Sequence, residues 1–146
     1  MAHILVVDDD DLSRLYLVAI LRNAGHTVQE AESGQKCLEQ IDLNAVDLTI
    51  TDIFMPVMDG FELLATLLKA RPGSKVIAMS GGGLTMRKKL ALHVAKKFGA
   101  IDLISKPFQS SGVLDTVTQA LCPAKSFIAC QNWLCRQDAL FFSGTG

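Results

Sequence analysis

The sequence predicts an α/β protein in which helices cover both faces of a parallel five-stranded sheet. Short, continuous apolar runs such as residues 4–7 recur along the chain, and such runs are typical of strands buried on both faces. Between them lie longer segments with apolar residues at helical spacing, bounded by residues that cap or stop a helix. Regular alternation of strand and helix favours parallel strands joined by helical crossovers.

Each predicted strand is a short apolar segment that ends at a polar or turn residue. In chain order the strands cover residues 4–7, 26–30, 47–53, 75–80 and 101–105. The second is more polar than the others, so we expect it near an edge of the sheet.

The predicted helices alternate with these strands and have recognisable starts and stops. In chain order they cover residues 12–24, a segment beginning after Ser33, residues 60–70, a segment ending near residue 98, and residues 110–121. Asp10 and Ser33 are predicted N-caps, because their side chains can accept hydrogen bonds from unpaired backbone N–H groups. Gly25 is predicted to end the first helix, and Arg71-Pro72-Gly73 the third.

The composition excludes several classes of protein. The chain has 146 residues, of which 49% are hydrophobic and 20% charged, so it fits one globular domain. Fourteen basic and fifteen acidic side chains give a net charge of -1, so no general attraction to nucleic acid or an anionic membrane is expected. No apolar run reaches the roughly 20 residues that span a bilayer, and a signal peptide is not evident. We therefore expect a cytoplasmic protein without nucleic-acid or membrane partners.

The cysteines do not form a metal-binding pattern. They are Cys37, Cys122, Cys130 and Cys135. None belongs to a CxxC pair, and the three histidines are scattered along the chain, so a zinc site is not predicted. We expect ordinary reduced thiols.

Polar side chains follow four of the predicted strands at the point where each strand ends. Asp8 and Asp9 end the first strand, Asp52 lies near the end of the third, Ser80 ends the fourth and Lys106 follows the fifth. Because the active crevice of an open parallel sheet lies beyond the carboxyl ends of its strands, we expect these side chains to meet at one rim.

Three carboxylates at one rim need a positive partner. Two unit charges 4 Å apart repel by about 4 kcal/mol at an effective dielectric near 20. Mg²⁺ suits such a site, because it prefers oxygen ligands and shares its coordination shell with phosphate, and Lys106 supplies a second positive charge. Taken alone, each of these residues has an ordinary structural explanation. Asp10 can be a helix N-cap, and Asp11 is favoured by the helix dipole in the first turn. Ser80 can be a turn residue and Lys106 a surface lysine.

The same residues suggest phosphoryl chemistry. A carboxylate such as Asp52 can attack phosphorus and form an acyl phosphate. The Ser80 hydroxyl can donate a hydrogen bond to one phosphoryl oxygen, and the Lys106 ammonium can pair with another. The Lys106-Pro107 bond is a candidate for the cis form, which would aim the lysine inward.

Four segments together carry a family resemblance. They are Leu5-Val6-Val7-Asp8-Asp9, Asp52-Ile53-Phe54-Met55-Pro56 with Asp59-Gly60, Ser80 after Val76-Ile77-Ala78-Met79, and Lys106-Pro107-Phe108. In this combination the chain resembles, over about residues 3–121, the receiver domains of two-component response regulators. The resemblance implies a flavodoxin-like (βα)5 doubly wound sheet of order 2-1-3-4-5. It also implies that Asp52 accepts a phosphoryl group from a histidine kinase or a histidine phosphotransfer protein.

The resemblance further implies a set of metal ligands. Asp9 and Asp52 would bind Mg²⁺ directly, together with the backbone carbonyl of Phe54, whereas Asp8 would act largely through water. Ser80 and Lys106 would form the switch pair that follows the phosphoryl group. The domain would be a phosphoacceptor that assists its own phosphorylation, rather than an enzyme. Its dephosphorylation is expected to be slow, because neither Phe54 nor Gly82 can orient an attacking water by hydrogen bonding. One departure is Leu103, which stands where the family usually has an aromatic residue, so its usual coupling of phosphorylation to the outer surface is not expected.

We expect residues 1–121 to form the receiver domain and residues 122–146 an apolar tail, without a separate output domain. The tail either docks, on a partner or on this same domain, or is a loosely packed extension. Two other functions remain open. A receiver-like module that is never phosphorylated would usually lack an acidic or lysine position, and none is lost here. A phosphatase of the haloacid-dehalogenase type would need a second aspartate at the position of Phe54.

Overall fold

A parallel sheet of five strands forms the centre of the structure, a computed structural model that describes residues 2–53, 58, 60–81 and 93–122. The strands are β1 (His3–Val7), β2 (Thr27–Ala31), β3 (Leu48–Asp52), β4 (Val76–Gly81) and β5 (Asp102–Lys106). Their order across the sheet is β2-β1-β3-β4-β5, and every neighbouring pair is parallel. The predicted fold class and strand order are confirmed, and the polar second strand is an edge strand as expected.

Helices connect the strands on both sides of the sheet. They are α1 (Asp11–Asn23), α2 (Gly34–Gln40), α3 (Gly60–Ala70), α4, described over residues 93–97, and α5 (Ser110–Leu121). Both predicted caps are confirmed: Asp10 accepts from the Ser13 N–H at 3.3 Å, and Ser33 from the Lys36 N–H at 3.1 Å. A 3-10 helix at Leu43–Ala45 was not predicted.

Gly25 ends α1 as the sequence predicts. Its φ angle is 93°, in the left-handed region that glycine enters without a steric penalty. The Gly25 N–H donates to the Arg22 carbonyl at 3.0 Å, and the His26 N–H donates to the Leu21 carbonyl at 3.2 Å. This pair of bonds satisfies carbonyl groups that the end of the helix would otherwise leave without donors, and it directs the chain into β2.

The side chains of each strand point alternately into two apolar layers. In β1, Ile4 and Val6 belong to a core that includes buried residues of α1 and α5. Leu5 and Val7 belong to the opposite core, which includes buried residues of α2, α3 and α4. Because both faces of the central strands are covered, polar chemistry can reach them only at their ends.

The two cysteines in the described part of the chain, Cys37 and Cys122, differ in oxidation state. Cys37 is a free thiol in the second core, and burial raises its pKa to about 11. Cys122 takes part in a disulfide bond, so the expectation of reduced thiols is wrong for this residue.

Two other predictions concern residues 123–146 and Phe54, which lie outside the described residues. Among the helices in the described part of the chain, none is both long and apolar enough to cross a bilayer.

Candidate functional site

The predicted site residues of the described chain meet at the carboxyl edge of the sheet. Asp52 and Lys106 are the last residues of β3 and β5, Asp8 directly follows β1, and Ser80 lies one residue before the end of β4. β4 separates β3 from β5 and pairs with both, with Met79 opposite Asp52 and Gly81 opposite Lys106. The parallel sheet thus brings together residues that are up to 98 positions apart in sequence.

The three aspartates form one cluster of carboxylate oxygens. An oxygen from each of Asp8, Asp9 and Asp52 lies within 4.8 Å of the others. Asp8 and Asp52 are buried, whereas Asp9 is exposed and gives the cluster an open side. Oxygen-only donors, rich in carboxylate and open on one side, fit a hard divalent cation such as Mg²⁺.

Lys106 joins two of these carboxylates. Its Nζ atom donates to Asp8 Oδ2 at 2.7 Å and to Asp52 Oδ2 at 2.8 Å. The Lys106-Pro107 bond is cis, the form for which the sequence made it a candidate. Only 16% of the Lys106 side chain is exposed, and that of Asp8 is fully buried, so these ion pairs are shielded from solvent.

Burial and hydrogen bonding have opposite effects on the pKa values of Asp8 and Lys106. Burial raises the pKa of Asp8, the Asp52 charge raises it further, and hydrogen bonds from Lys106 and the Asp10 N–H only partly offset this. For Lys106, burial lowers the pKa, but hydrogen bonds to Asp52 and Asp8 outweigh burial, and the net effect is a raised pKa. Lys106 therefore remains a cation at neutral pH, which suits it to bind an anion.

Asp8 and Asp9 have different surroundings although they are adjacent. Asp8 Oδ1 accepts from the Asp10 N–H at 3.0 Å, and its Oδ2 accepts from Lys106. Both oxygens of Asp8 are therefore already engaged by the protein. Asp9 lies on the exposed side of the cluster and can turn toward a ligand from solvent.

Gly60 allows the third helix to begin directly against the end of β3. Its N–H donates to the Ile53 carbonyl at 2.8 Å. A Cβ atom at this position would lie 2.2 Å from the Asp52 carbonyl oxygen and 2.6 Å from the Ile53 Cα atom. Only a residue without a side chain fits here, so Gly60 controls how closely α3 approaches the backbone of Asp52.

Sequence reasoning missed one residue that contacts this edge. Arg14 donates through Nη1 to the Asp8 carbonyl at 2.7 Å and through Nη2 to Asp11 Oδ1 at 2.6 Å. The available signal was a basic residue three positions after Asp11 on the predicted helix, a spacing that places the two side chains together.

Comparisons with known proteins agree with this geometry. The family model described as the response regulator receiver domain matches residues 4–118. The chemotaxis protein CheY of Listeria monocytogenes is 36% identical over 121 residues, which are 82% of this chain and 98% of that protein. A receiver domain protein from Clostridium thermocellum superposes with a TM-score of 0.74 at 28% identity, over 83% of this chain and 94% of that one. CheY4 of Vibrio cholerae gives a TM-score of 0.73 at 28% identity, over 83% and 99% of the two chains. The chain belongs to the response regulator receiver domain family, whose members act in two-component signalling.

Proposed function

We propose that Asp52 accepts a phosphoryl group from the phosphohistidine of a histidine kinase or a histidine phosphotransfer protein. The phosphorylated domain then signals through contacts with another protein. The observation that carries this proposal is the Lys106 ammonium, which is bonded to both Asp8 and Asp52 while Asp9 lies within reach. This arrangement places a nucleophilic carboxylate, a fixed cation and a cation-binding group at one solvent-accessible edge.

The transfer step uses the Asp52 carboxylate as nucleophile. One carboxylate oxygen attacks phosphorus and forms the new O–P bond, while the P–N bond to the donor imidazole breaks and its electron pair stays with the departing nitrogen. Asp52 is the last residue of a buried central strand, which pairs with β4 at Asp52 and with β1 as far as Thr51, the residue before it. Its position is therefore fixed before the donor arrives, which lowers the entropic cost of the reaction.

Asp9 and Asp52 would bind Mg²⁺ directly, together with the backbone carbonyl of Phe54. Asp8 would act through water, which agrees with its two oxygens being occupied by Lys106 and the Asp10 N–H. When bound, the ion supplies positive charge beside the phosphoryl oxygens. The cluster is closed on the side of the buried Asp8 and open on the side of the exposed Asp9, from which the ion would enter.

Lys106 and Ser80 would respond to the phosphoryl group. The Lys106 ammonium can exchange one carboxylate partner for a phosphoryl oxygen, and the Ser80 hydroxyl can donate to another. Both residues lie near the ends of neighbouring strands, β4 and β5. A shift of these strand ends toward the phosphoryl group changes the surface around them, which is the basis for signalling without any change in fold.

Exposed apolar residues at the start of α1 favour a protein, and not a small molecule, as the phosphoryl donor. Leu12, Leu15 and Tyr16 are 78%, 67% and 51% exposed, beside the loop that carries Asp9. The Tyr16 ring stacks on Phe108, two residues after Lys106, with ring centroids 5.5 Å apart. The exposed apolar residues of α1 therefore adjoin the segment that follows Lys106. We propose that the donor protein docks here with an apolar face, because a small phosphodonor needs no such surface.

Incubation of the full chain with acetyl phosphate and Mg²⁺, followed by intact mass measurement, tests the phosphoacceptor role. We expect a stable gain of about 80 Da, the mass of one phosphoryl group. Asp52→Asn should abolish the gain, and the exposed Asp115→Asn on α5 serves as the matched control that should retain it. No adduct at saturating Mg²⁺ would favour an interaction module that is never phosphorylated. Continuous release of phosphate without a lasting adduct would favour a phosphatase.

Docking of the donor is tested separately with Leu15→Asp. This variant should take phosphoryl from acetyl phosphate at the wild-type rate, because Asp52 and its neighbours are unchanged. Transfer from a phosphorylated histidine phosphotransfer protein that labels the wild type should slow by at least about tenfold, the effect of losing 1.4 kcal/mol of docking energy. Equal slowing with both donors would place Leu15 in the structure of the site and not in the docking surface.

A further inference from the structure

The Arg14 side chain, on the first turn of α1, lies against the acidic loop. Its guanidinium donates to two acceptors at once, the Asp8 carbonyl at 2.7 Å and Asp11 Oδ1 at 2.6 Å. The side chain is 14% exposed, whereas that of its partner Asp11 is 82% exposed. Arg14 is therefore packed by its contact with the backbone of the loop and not merely paired with a surface carboxylate.

The backbone group that Arg14 contacts lies between two acidic residues of the site, Asp8 and Asp9. The Asp8 carbonyl belongs to the peptide that joins Asp8 to Asp9, and the orientation of that peptide sets the direction in which Asp9 leaves the chain. Asp8 is already restrained by the Asp10 N–H and by Lys106. Asp9 is exposed, and its placement depends on the peptide that Arg14 holds.

We propose that Arg14 is a positioning residue for the divalent cation: by holding the Asp8 carbonyl, it keeps the Asp9 carboxylate directed toward Asp8 and Asp52. This inference rests on the Mg²⁺ role proposed above. The planar fork of a guanidinium reaches two acceptors in fixed directions, which a lysine ammonium cannot reproduce. Arg14 has no contact with the carboxylate oxygens of Asp8, Asp9 or Asp52 among the described hydrogen bonds, so it acts through the loop.

The charge of Arg14 opposes its role in placement. A positive charge near the cluster weakens cation binding through Coulomb repulsion, so removing it would by itself tighten Mg²⁺ binding. A loss of placement would weaken binding. Arg14→Lys keeps the charge and removes the fork, and it therefore isolates placement. In Arg14→Gln the two effects have opposite signs.

The measurement is the Mg²⁺ dissociation constant of the full chain by isothermal titration calorimetry. We expect Arg14→Lys to raise it by about tenfold, at the lower end of the range for residues that orient metal ligands, because Arg14 holds the backbone and not the ligand atoms. Arg14→Gln should bind Mg²⁺ more tightly than Arg14→Lys, because it loses the same placement and also loses the repelling charge.

Arg22→Lys provides the matched control. Arg22 lies on the same helix and also donates to a backbone carbonyl, that of Val28 at 3.2 Å, but at the far end from the acidic loop. Its variant should bind Mg²⁺ as wild type does. Urea unfolding without Mg²⁺ should show similar stability for the Arg14→Lys and Arg22→Lys variants, which separates placement from a general loss of structure.

The possible results have distinct meanings. A dissociation constant of Arg14→Lys within twofold of the wild-type value, or an equal change in the Arg22→Lys control, would overturn the role of Arg14 alone. No saturable binding by the wild-type chain, in titrations at two temperatures, would overturn both this role and the proposed cation site. Phosphorylation by acetyl phosphate, measured independently on the wild type, then shows whether the phosphoacceptor function also fails.

Discussion

The two edges of the sheet satisfy their polar groups in different ways. At the amino edge, backbone groups pair with one another: the Asp47 N–H donates to the His3 carbonyl at 2.8 Å, and the Ile101 N–H to the Val76 carbonyl at 2.8 Å. The charged Asp47 side chain there is exposed to solvent. At the carboxyl edge, the carboxylates of Asp8 and Asp52 are buried and depend on Lys106.

This difference suggests that the amino edge of the sheet stabilises the fold, whereas the carboxyl edge carries the functional site. The backbone pairs at the amino edge are neutral, so they stabilise the fold whether or not a ligand is bound. Buried carboxylates at the carboxyl edge lose hydration, and the cation that compensates them can be exchanged for another. We therefore expect matched substitutions to be costly at the carboxyl edge and mild at the amino edge.

The largest difference is expected between two glycines. A Cβ at Gly60, at the carboxyl edge, would lie 2.2 Å from the Asp52 carbonyl oxygen, whereas a Cβ at Gly73, in the loop before β4, would meet nothing within 4 Å. Gly60→Ala should lower the free energy of unfolding by about 3 kcal/mol, because the clash is with backbone that cannot rotate away. Gly73→Ala should change it by less than about 1 kcal/mol. Urea unfolding of both variants measures the contrast, and equal losses would contradict it.

A smaller difference is expected between two lysines. Lys106→Met removes the cation between Asp8 and Asp52 and should lower the free energy of unfolding in EDTA by about 2 kcal/mol, below the range for fully buried pairs because Lys106 is partly exposed. Lys75→Met, at the amino edge, should change it by less than about 0.5 kcal/mol.

The effect of Mg²⁺ on stability gives a second test of the role of Lys106. The ion and Lys106 neutralise the same carboxylates, so Mg²⁺ should raise the stability of Lys106→Met more than that of wild type. Thermal unfolding with and without Mg²⁺ measures this. A smaller rise in Lys106→Met than in wild type would mean that the lysine helps to bind the ion instead of substituting for it.

Much of the carboxyl edge could be predicted from the sequence because its chemistry recurs at strand ends. Apolar runs that stop at Asp8 and Asp52 identified buried strands and the residues that emerge from them. The parallel topology then required those residues to meet, as they do. The Phe54 carbonyl remains a prediction, since it lies outside the described residues.

Features that depend on contacts between distant segments could not be predicted. The 3-10 helix at Leu43–Ala45 begins with Asp42, which accepts from the Asn44 N–H, but Arg71 also donates to the carbonyls of Leu43, Asn44 and Val46. No local pattern indicates a partner 27 positions away. Gly60 was visible in the sequence as part of the Asp59-Gly60 segment, but its close approach to the Asp52 backbone depends on how α3 packs against the end of β3.

The smallest expected effect is a pH dependence at the amino edge, which comes from His26. Its Nδ1 accepts from the Ala2 N–H at 3.2 Å, a bond that only the neutral ring can form at this nitrogen, and burial lowers the His26 pKa. Because the folded pKa lies below the unfolded value of about 6.5, the contribution of His26 to stability is fully present above that pH. It is lost as the pH falls through the folded pKa.

His26→Gln retains an acceptor and removes the titration, so its free energy of unfolding should fall less than that of wild type between pH 7.5 and 5.5, values chosen to bracket the unfolded pKa. The carboxylates titrate in both proteins, so the difference between the two curves isolates His26. Parallel curves would contradict the prediction and show that the His26 bond to the Ala2 N–H contributes no pH dependence in this range.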